Sequence, residues 1–152
     1  MQTNTCFFIG HREAPDALLP LLLDEVERHI TEYGVSSFVV GHYGHFDALA
    51  ARAVIDAKKR HPEVTLLLLL PYHPYDRPIV PPKGYNGTFY PPGMEDTPHR
   101  AAIVKANRYM VAHSSHLIAY VWHTASNARD ILEYAQRRER RGLMRVTILP
   151  HV

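Results

Sequence analysis

Short runs of apolar residues recur along the chain, and most of them do not alternate with polar residues. A strand that is apolar on both faces belongs inside a parallel sheet that is covered by helices on each side. We therefore predict an α/β fold, a Rossmann-like three-layer sandwich with a central, mainly parallel sheet of about five strands. The runs that define these strands are 5–9, 37–40, 64–70, 117–121 and 144–149.

Stretches with helical spacing of apolar residues separate these runs. Leu19, Leu22 and Val26 repeat on one face of the first stretch, which Gly34 ends. Asp47 is predicted to cap the second helix. The four predicted helices are 19–33, 47–61, 101–112 and 128–141.

The prolines are concentrated in one window, because eight of the 12 lie within residues 71–98. Proline removes a backbone donor and fixes φ, so this window is predicted to be neither a regular helix nor a central strand. It also holds five aromatic residues, which a flexible linker would lack. We predict a single domain over 1–152, with this proline loop as an ordered pocket lid or subunit contact.

Composition excludes several classes of protein. A net charge of +2 does not indicate a strongly basic nucleic-acid binder, and one cysteine excludes a disulfide framework. The longest apolar run, 64–70, is too short to span a membrane, and the N-terminus lacks a basic signal-peptide start. We therefore predict a cytoplasmic protein without membrane contact.

The 11 histidines raise the possibility of a metal site. His42 and His45 flank one turn, and His113 and His116 are three residues apart, but no His-Glu-x-x-His or paired Cys-x-x-Cys is present. We predict no metal site and no cofactor. Histidines beside a ligand more often serve as hydrogen-bonding groups.

Ligands of parallel α/β sheets bind at the carboxyl ends of the strands, so residues that follow strands are the candidates. Gly10, His11 and Arg12 follow the first strand, where Arg12 either clamps an anionic group or lies in solvent at a tight turn. The second strand leads into Gly41, Gly44, Phe46 and Asp47, a glycine-containing entry to a helix that suits an anion. Asp47 either caps its helix or binds a ribose hydroxyl.

The fourth strand is followed by a third candidate segment, Trp122 to Ala128. Thr124, Ser126 and Asn127 precede the last helix, where free backbone N–H groups form a second anion site. Asn107 lies upstream on a mostly apolar helix, as a structural hydrogen-bonding residue or a ligand contact. Aromatic residues in these segments either stack on a base or pack in the core; they are Tyr43, Phe46 and Trp122.

Four motifs in this order resemble the SLOG superfamily, which unites DprA/Smf-like, YpsA-like and LOG-type proteins. They are strand-Gly-His-Arg at 10–12, Gly-x-x-Gly-x-x-Asp at 41–47, Asn-Arg-Tyr-Met-Val at 107–111 and a small-residue helix start after 123. The resemblance covers nearly the whole chain, and residues 85–94 look typical of a short bacterial branch of unassigned function. It implies a nucleotide or nucleotide-derived ligand, bound as in a sensor or a ligand-processing protein.

Two activities follow from the resemblance and stay open. LOG-type members cleave the N-glycosidic bond of nucleoside monophosphates, but residues 124–130 lack their Pro-Gly-Gly-x-Gly-Thr-x-x-Glu motif. For such a reaction the candidate catalytic residues are Asp47, Glu13 and Glu95. DprA-type members bind single-stranded DNA, for which the basic segment 137–141 is the local support.

SLOG relatives commonly form oligomers, so a homo-oligomer is expected as well. The proline loop supplies aromatic residues as interface anchors for it. They are Tyr85, Phe89 and Tyr90.

Overall fold

The computed structural model describes residues 4–123 and 126–152, and within them six strands alternate with four helices. The strands are β1 (Thr5–Gly10), β2 (Ser37–Val40), β3 (Thr65–Leu69), β4 (Gly87–Phe89), β5 (His116–Tyr120) and β6 (Arg145–Ile148). The helices are α1 (Leu18–Thr31), α2 (His45–Lys58), α3 (His99–His113) and α4 (Asn127–Arg140). No helix in this part of the chain is long and apolar enough to cross a membrane.

All strand pairs are parallel, and the sheet has the order β4-β3-β2-β1-β5-β6. The predicted Rossmann-like α/β sandwich is therefore confirmed, with six strands where about five were expected. The chain runs outward from β1 to β4 and then returns through α3 to β5 on the other side of β1. The order reverses between β1 and β5, which is where such a sheet opens a crevice for a ligand.

Strand β1 is buried on both faces and so explains the absence of alternation in its sequence. Cys6 and Phe8 point into a core that they share with α1 and α2. Phe7 and Ile9 point into a second core beneath α3 and α4. The two cores show that helices cover both sides of the sheet, as in a three-layer sandwich.

The strand that sequence analysis missed, β4, lies at the edge of the sheet within the proline loop. It has three residues and pairs only with β3 among the described residues. Asn86 holds its start, because the side-chain oxygen accepts from the Leu66 backbone N–H at 2.9 Å and from Lys58 Nζ. An edge position tolerates neighbouring prolines, so the exclusion of a central strand from this window was sound.

The loop aromatics that were named as interface anchors are half-buried, and each packs in part against one of the two cores. Tyr85 packs against the core beside α1 and α2, whereas Phe89 and Tyr90 pack against the core beneath α3 and α4. The large apolar side chains that the loop exposes are Tyr75 and Val80.

A buried histidine lies at the opposite edge of the sheet from the strand carboxyl ends. His29, in the last turn of α1, is 0% exposed and its Nδ1 donates to the Glu25 carbonyl at 2.8 Å. Its Nε2 is buried without a partner among the described residues. The His116 ring lies edge-on at 5.4 Å. Burial is the main reason that the pKa of His29 falls to about 4.

Candidate functional site

A cavity of about 310 Å³ opens at the carboxyl ends of the strands, at the point where the strand order reverses. This volume is near the lower limit for small-molecule sites, roughly 300 Å³. Five segments meet there: the end of β1, the entry to α2, the end of β3, one face of α3 and the start of α4. The lining residues are Phe7 to Arg12, Gly41, Tyr43, Asp47, Leu69, Pro71, Ile103, Ala106, Asn107, Ser126, Asn127 and Ala128.

Gly10 closes the floor of the cavity over the ring of Phe46. A Cβ at Gly10 would overlap this ring, and even the third-nearest ring atom, Cδ1, would lie only 2.9 Å away. Phe46 is 1% exposed and packs between Phe8 and Tyr120, with ring centroids 6.5 and 6.2 Å away. Phe46 is therefore a core residue rather than the ligand contact that its position after a strand suggested.

Gly44 joins the loops that follow β1 and β2 instead of facing the cavity. A Cβ at Gly44 would lie 2.6 Å from the Arg12 Cα. The Arg12 carbonyl accepts the His45 backbone N–H at 2.8 Å, so one N–H of the predicted anion cradle at α2 is already used. This contact fixes the backbone of Arg12, whose side chain lines the cavity.

Asp47 lies at the third position of α2 and does not cap the helix in the way that was predicted. Gly44 is the N-cap residue, and the Asp47 carboxylate reaches back to accept the Tyr43 backbone N–H at 3.2 Å. The absence of a side chain at Gly41 makes room, because a Cβ there would lie 3.0 Å from Asp47 Oδ2. Burial raises the pKa of Asp47 to about 6, although the Tyr43 N–H and the charge of Arg12 act in the opposite direction.

His11 is buried at the start of the loop that follows β1 (the β1 loop), where this loop meets the segment after β5. Its Nε2 accepts two backbone N–H groups, from Trp122 at 2.9 Å and from His123 at 3.1 Å. Backbone N–H groups only donate, so Nε2 carries no proton and the neutral ring is protonated at Nδ1. Burial and the nearby His123 and His151 lower the pKa of His11.

The N-terminus of α4 forms one wall of the cavity. Ser126 is its N-cap, and the hydroxyl accepts the Arg129 backbone N–H at 3.0 Å. Asn127 and Ala128 line the cavity at the positions where a helix leaves its N–H groups unpaired. The helix dipole adds partial positive charge at the same place.

Helix α3 provides a mixed wall. Ile103 and Ala106 face the cavity together with Leu69 from the end of β3. Asn107 also lines it. An amide presents both donors and an acceptor, so Asn107 adds hydrogen-bonding groups to an otherwise apolar surface.

The structure thus brings most of the sequence candidates to one cavity. Gly10, His11, Arg12, Gly41, Asp47, Asn107, Ser126 and Asn127 line it. Gly44 and Phe46 lie behind its wall, Glu13 and Glu95 are exposed outside its lining, and Trp122 stacks on His151 at 4.3 Å. Thr124 lies outside the described residues. Sequence reasoning missed the apolar lining, because Phe7, Leu69 and Ile103 show the same pattern as core residues.

Two features considered from sequence do not belong to the cavity. The basic segment 137–141 is at the carboxyl end of α4, whereas the cavity is at its amino end. In residues 4–123 and 126–152, no group of three or more His, Cys, Asp or Glu is placed to hold a metal ion.

Comparison with known proteins adds no family to this picture. No protein-family model matches the sequence, and the curated proteins contain no match to it. The chemistry of the cavity therefore carries the assignment of function.

Proposed function

We propose that the protein binds a nucleotide or a nucleotide-derived small molecule in the cavity at the carboxyl edge of the sheet. The observation that carries this proposal is that Arg12, the N-terminus of α4 and Asp47 all line one cavity. A phosphate needs the first two groups, and a sugar hydroxyl suits the third. The SLOG resemblance points to the same class of ligand.

The phosphate would lie against α4. The start of this helix consists of the Ser126 cap and the N–H groups of Asn127 and Ala128. Arg12 lines the same cavity. Helix N-termini bind phosphate through free N–H groups and the helix dipole, and a guanidinium adds charge-assisted hydrogen bonds.

The nucleoside would extend over the apolar wall. Ile103, half-buried on α3, offers apolar surface for a base beside Leu69, and the Asn107 amide offers hydrogen bonds to its edge. Asp47 would accept from a ribose hydroxyl with the carboxylate lone pairs that the Tyr43 N–H leaves free. Apolar walls with a few placed polar groups are typical of small-molecule sites.

The Arg12→Gln variant tests the proposal. We expect it to weaken binding of a nucleoside 5′-monophosphate by about 10- to 100-fold, since a charge-assisted hydrogen bond contributes roughly 1.5–3 kcal/mol. Isothermal titration calorimetry against a panel of nucleoside 5′-monophosphates measures the effect, and mass spectrometry of copurifying small molecules guides the choice of base.

Arg52→Gln is the matched control, because Arg52 is exposed on α2 and lies outside the cavity. Its binding should equal that of the wild type. If no member of the panel binds the wild-type protein, or if both variants bind alike, the proposal is wrong.

A second candidate, hydrolysis of the N-glycosidic bond, is favoured by one observation. The pKa of Asp47 at about 6 places a carboxylic acid close to the range in which it can donate a proton to a departing base. Glu13 and Glu95 are exposed outside the cavity lining, which leaves Asp47 as the candidate that lines it.

Under this second candidate, we expect Asp47→Asn to lower release of free base by about 100-fold, the lower end of what a general acid contributes. Turnover by the wild type should also fall as the pH rises above 6, because the acid form is lost. Chromatography of the panel after incubation measures free base, and Glu13→Gln is the control that should keep full turnover. Binding without release of base by the wild type would instead identify a sensor.

A further inference from the structure

The segment between β5 and α4 has an unusual support, a single ring nitrogen that accepts two consecutive backbone N–H groups. His11 Nε2 is 2.9 Å from the Trp122 nitrogen and 3.1 Å from the His123 nitrogen. His11 is 8% exposed, so its ring is buried, and its backbone N–H donates to the Tyr120 carbonyl at 3.3 Å. The β1 loop therefore anchors the segment that leads to α4.

This anchor bears on the start of α4 because the chain between them is short. Three residue steps separate His123 from Ser126, and three residues extend at most about 11 Å. Fixing residues 122 and 123 thus limits how far Ser126 and the start of α4 can move from the end of β1.

Only the neutral ring can provide this anchor. A proton on Nε2 would turn the acceptor into a donor facing two other donors, so both hydrogen bonds would be lost. Several groups surround the ring. His123 lies at 4.6 Å between centroids, Tyr120 at 6.2 Å, and His151 stacks on the neighbouring Trp122. Arg12 follows in the chain, and Asp47 lines the same cavity.

We propose that His11 is a positioning residue whose Nε2 holds residues 122–123, and that its protonation releases this segment and loosens the anion-binding start of α4. Its effect on ligand affinity rests on the proposed function, whereas the release of the segment does not. Burial and the neighbouring histidines already lower the pKa of His11, which keeps the anchor intact at neutral pH.

The first experiment needs no ligand. In ¹⁵N-labelled full-length protein, the amide signals of Trp122 and His123 are followed from pH 7.5 to pH 4.5, together with the ring protons of His11. We expect one shared transition and loss of protection against hydrogen exchange at both amides. If the His11 ring titrates while both amides keep their shifts and protection, the proposal is wrong.

Three variants identify the group responsible. His11→Gln retains an acceptor that does not titrate, so the transition at both amides should disappear. His123→Gln and His151→Gln should retain it. Persistence of the transition in His11→Gln, or its loss in either control, would overturn the role of His11. If His11→Gln does not fold, the wild-type titration decides alone.

The second experiment measures affinity with inorganic sulfate, which keeps its charge over this pH range, whereas the second pKa of a phosphate ester is about 6. Asp47 also titrates near pH 6, and its protonation favours an anion, so Asp47→Asn serves as the background. From pH 7.5 to pH 4.5 we expect the sulfate Kd to rise about threefold or more, but not in the double variant with His11→Gln. An unchanged Kd in the Asp47→Asn background would contradict the coupling of His11 to α4. Titration of the amides without sulfate binding at any pH would support the anchor and count against the anion site.

Discussion

Replacement of His29 by leucine is expected to reduce, by about 3 kcal/mol, the free energy of unfolding that the protein loses on acidification. The pKa of His29 is about 4 in the fold and 6.5 in a model peptide, and each pKa unit corresponds to about 1.36 kcal/mol. Burial is the main cause, because the side chain is 0% exposed and its charged form cannot be hydrated. The Glu25 carbonyl partly offsets this by accepting from Nδ1.

The sign follows from which state binds more protons. Above pH 6.5 both the folded and unfolded forms of His29 are neutral, so its contribution is fully present. Between pH 6.5 and pH 4 the unfolded state binds a proton that the folded state excludes, and stability falls as the pH falls. Asp47 acts in the opposite direction over much of this window, because its pKa is raised to about 6 and the fold favours its protonated form.

The two groups therefore have to be separated by variants. Urea unfolding measures how much the free energy of unfolding falls between pH 7 and pH 4.5. This fall should be smaller in His29→Leu than in the wild type and larger in Asp47→Asn. His113→Leu is the matched control, since His113 also donates from Nδ1 to the carbonyl four residues earlier but is exposed. If the free energy of unfolding falls equally in His29→Leu and in the wild type, His29 takes up its proton without destabilising the fold.

The fold was largely predictable because its signals are local. Doubly buried strands such as β1 are apolar along their whole length, and glycines mark where helices end. Strand β4 was not predictable, because its three residues include one large apolar side chain, and its pairing depends on Asn86 and Lys58, which meet only in the fold. The nearby prolines masked it further.

The candidate site was predictable where position alone decides. Residues that follow parallel strands must lie at one edge of the sheet, which located Arg12, Asp47 and Ser126 correctly. Whether an aromatic residue there faces a ligand or the core is decided by packing across elements, as Phe46 beneath Gly10 illustrates. The anchor at His11 also escaped prediction, since its two donors lie more than a hundred residues away in the sequence.

The close approach of Gly10 to Phe46 gives a second prediction with a large effect. We expect Gly10→Ala to destabilise the protein by about 1–3 kcal/mol, the usual range for overpacking. The added Cβ would overlap the Phe46 ring. That ring cannot move aside easily, because Phe8 and Tyr120 pack on either side of it.

Gly87→Ala is the matched control for the same substitution. A Cβ at Gly87 would meet Leu67 Cδ2 at an ordinary 3.7 Å, so its stability should stay close to that of the wild type. Adding Phe46→Leu to Gly10→Ala removes most of the ring and should recover part of the loss, which urea unfolding of both single variants and the double variant measures as a coupling energy. Additive effects in this cycle would show that the cost at Gly10 does not arise from Phe46. Since Gly10 also lines the cavity, a real coupling would mean that the packing of Phe46 constrains the floor of the candidate site.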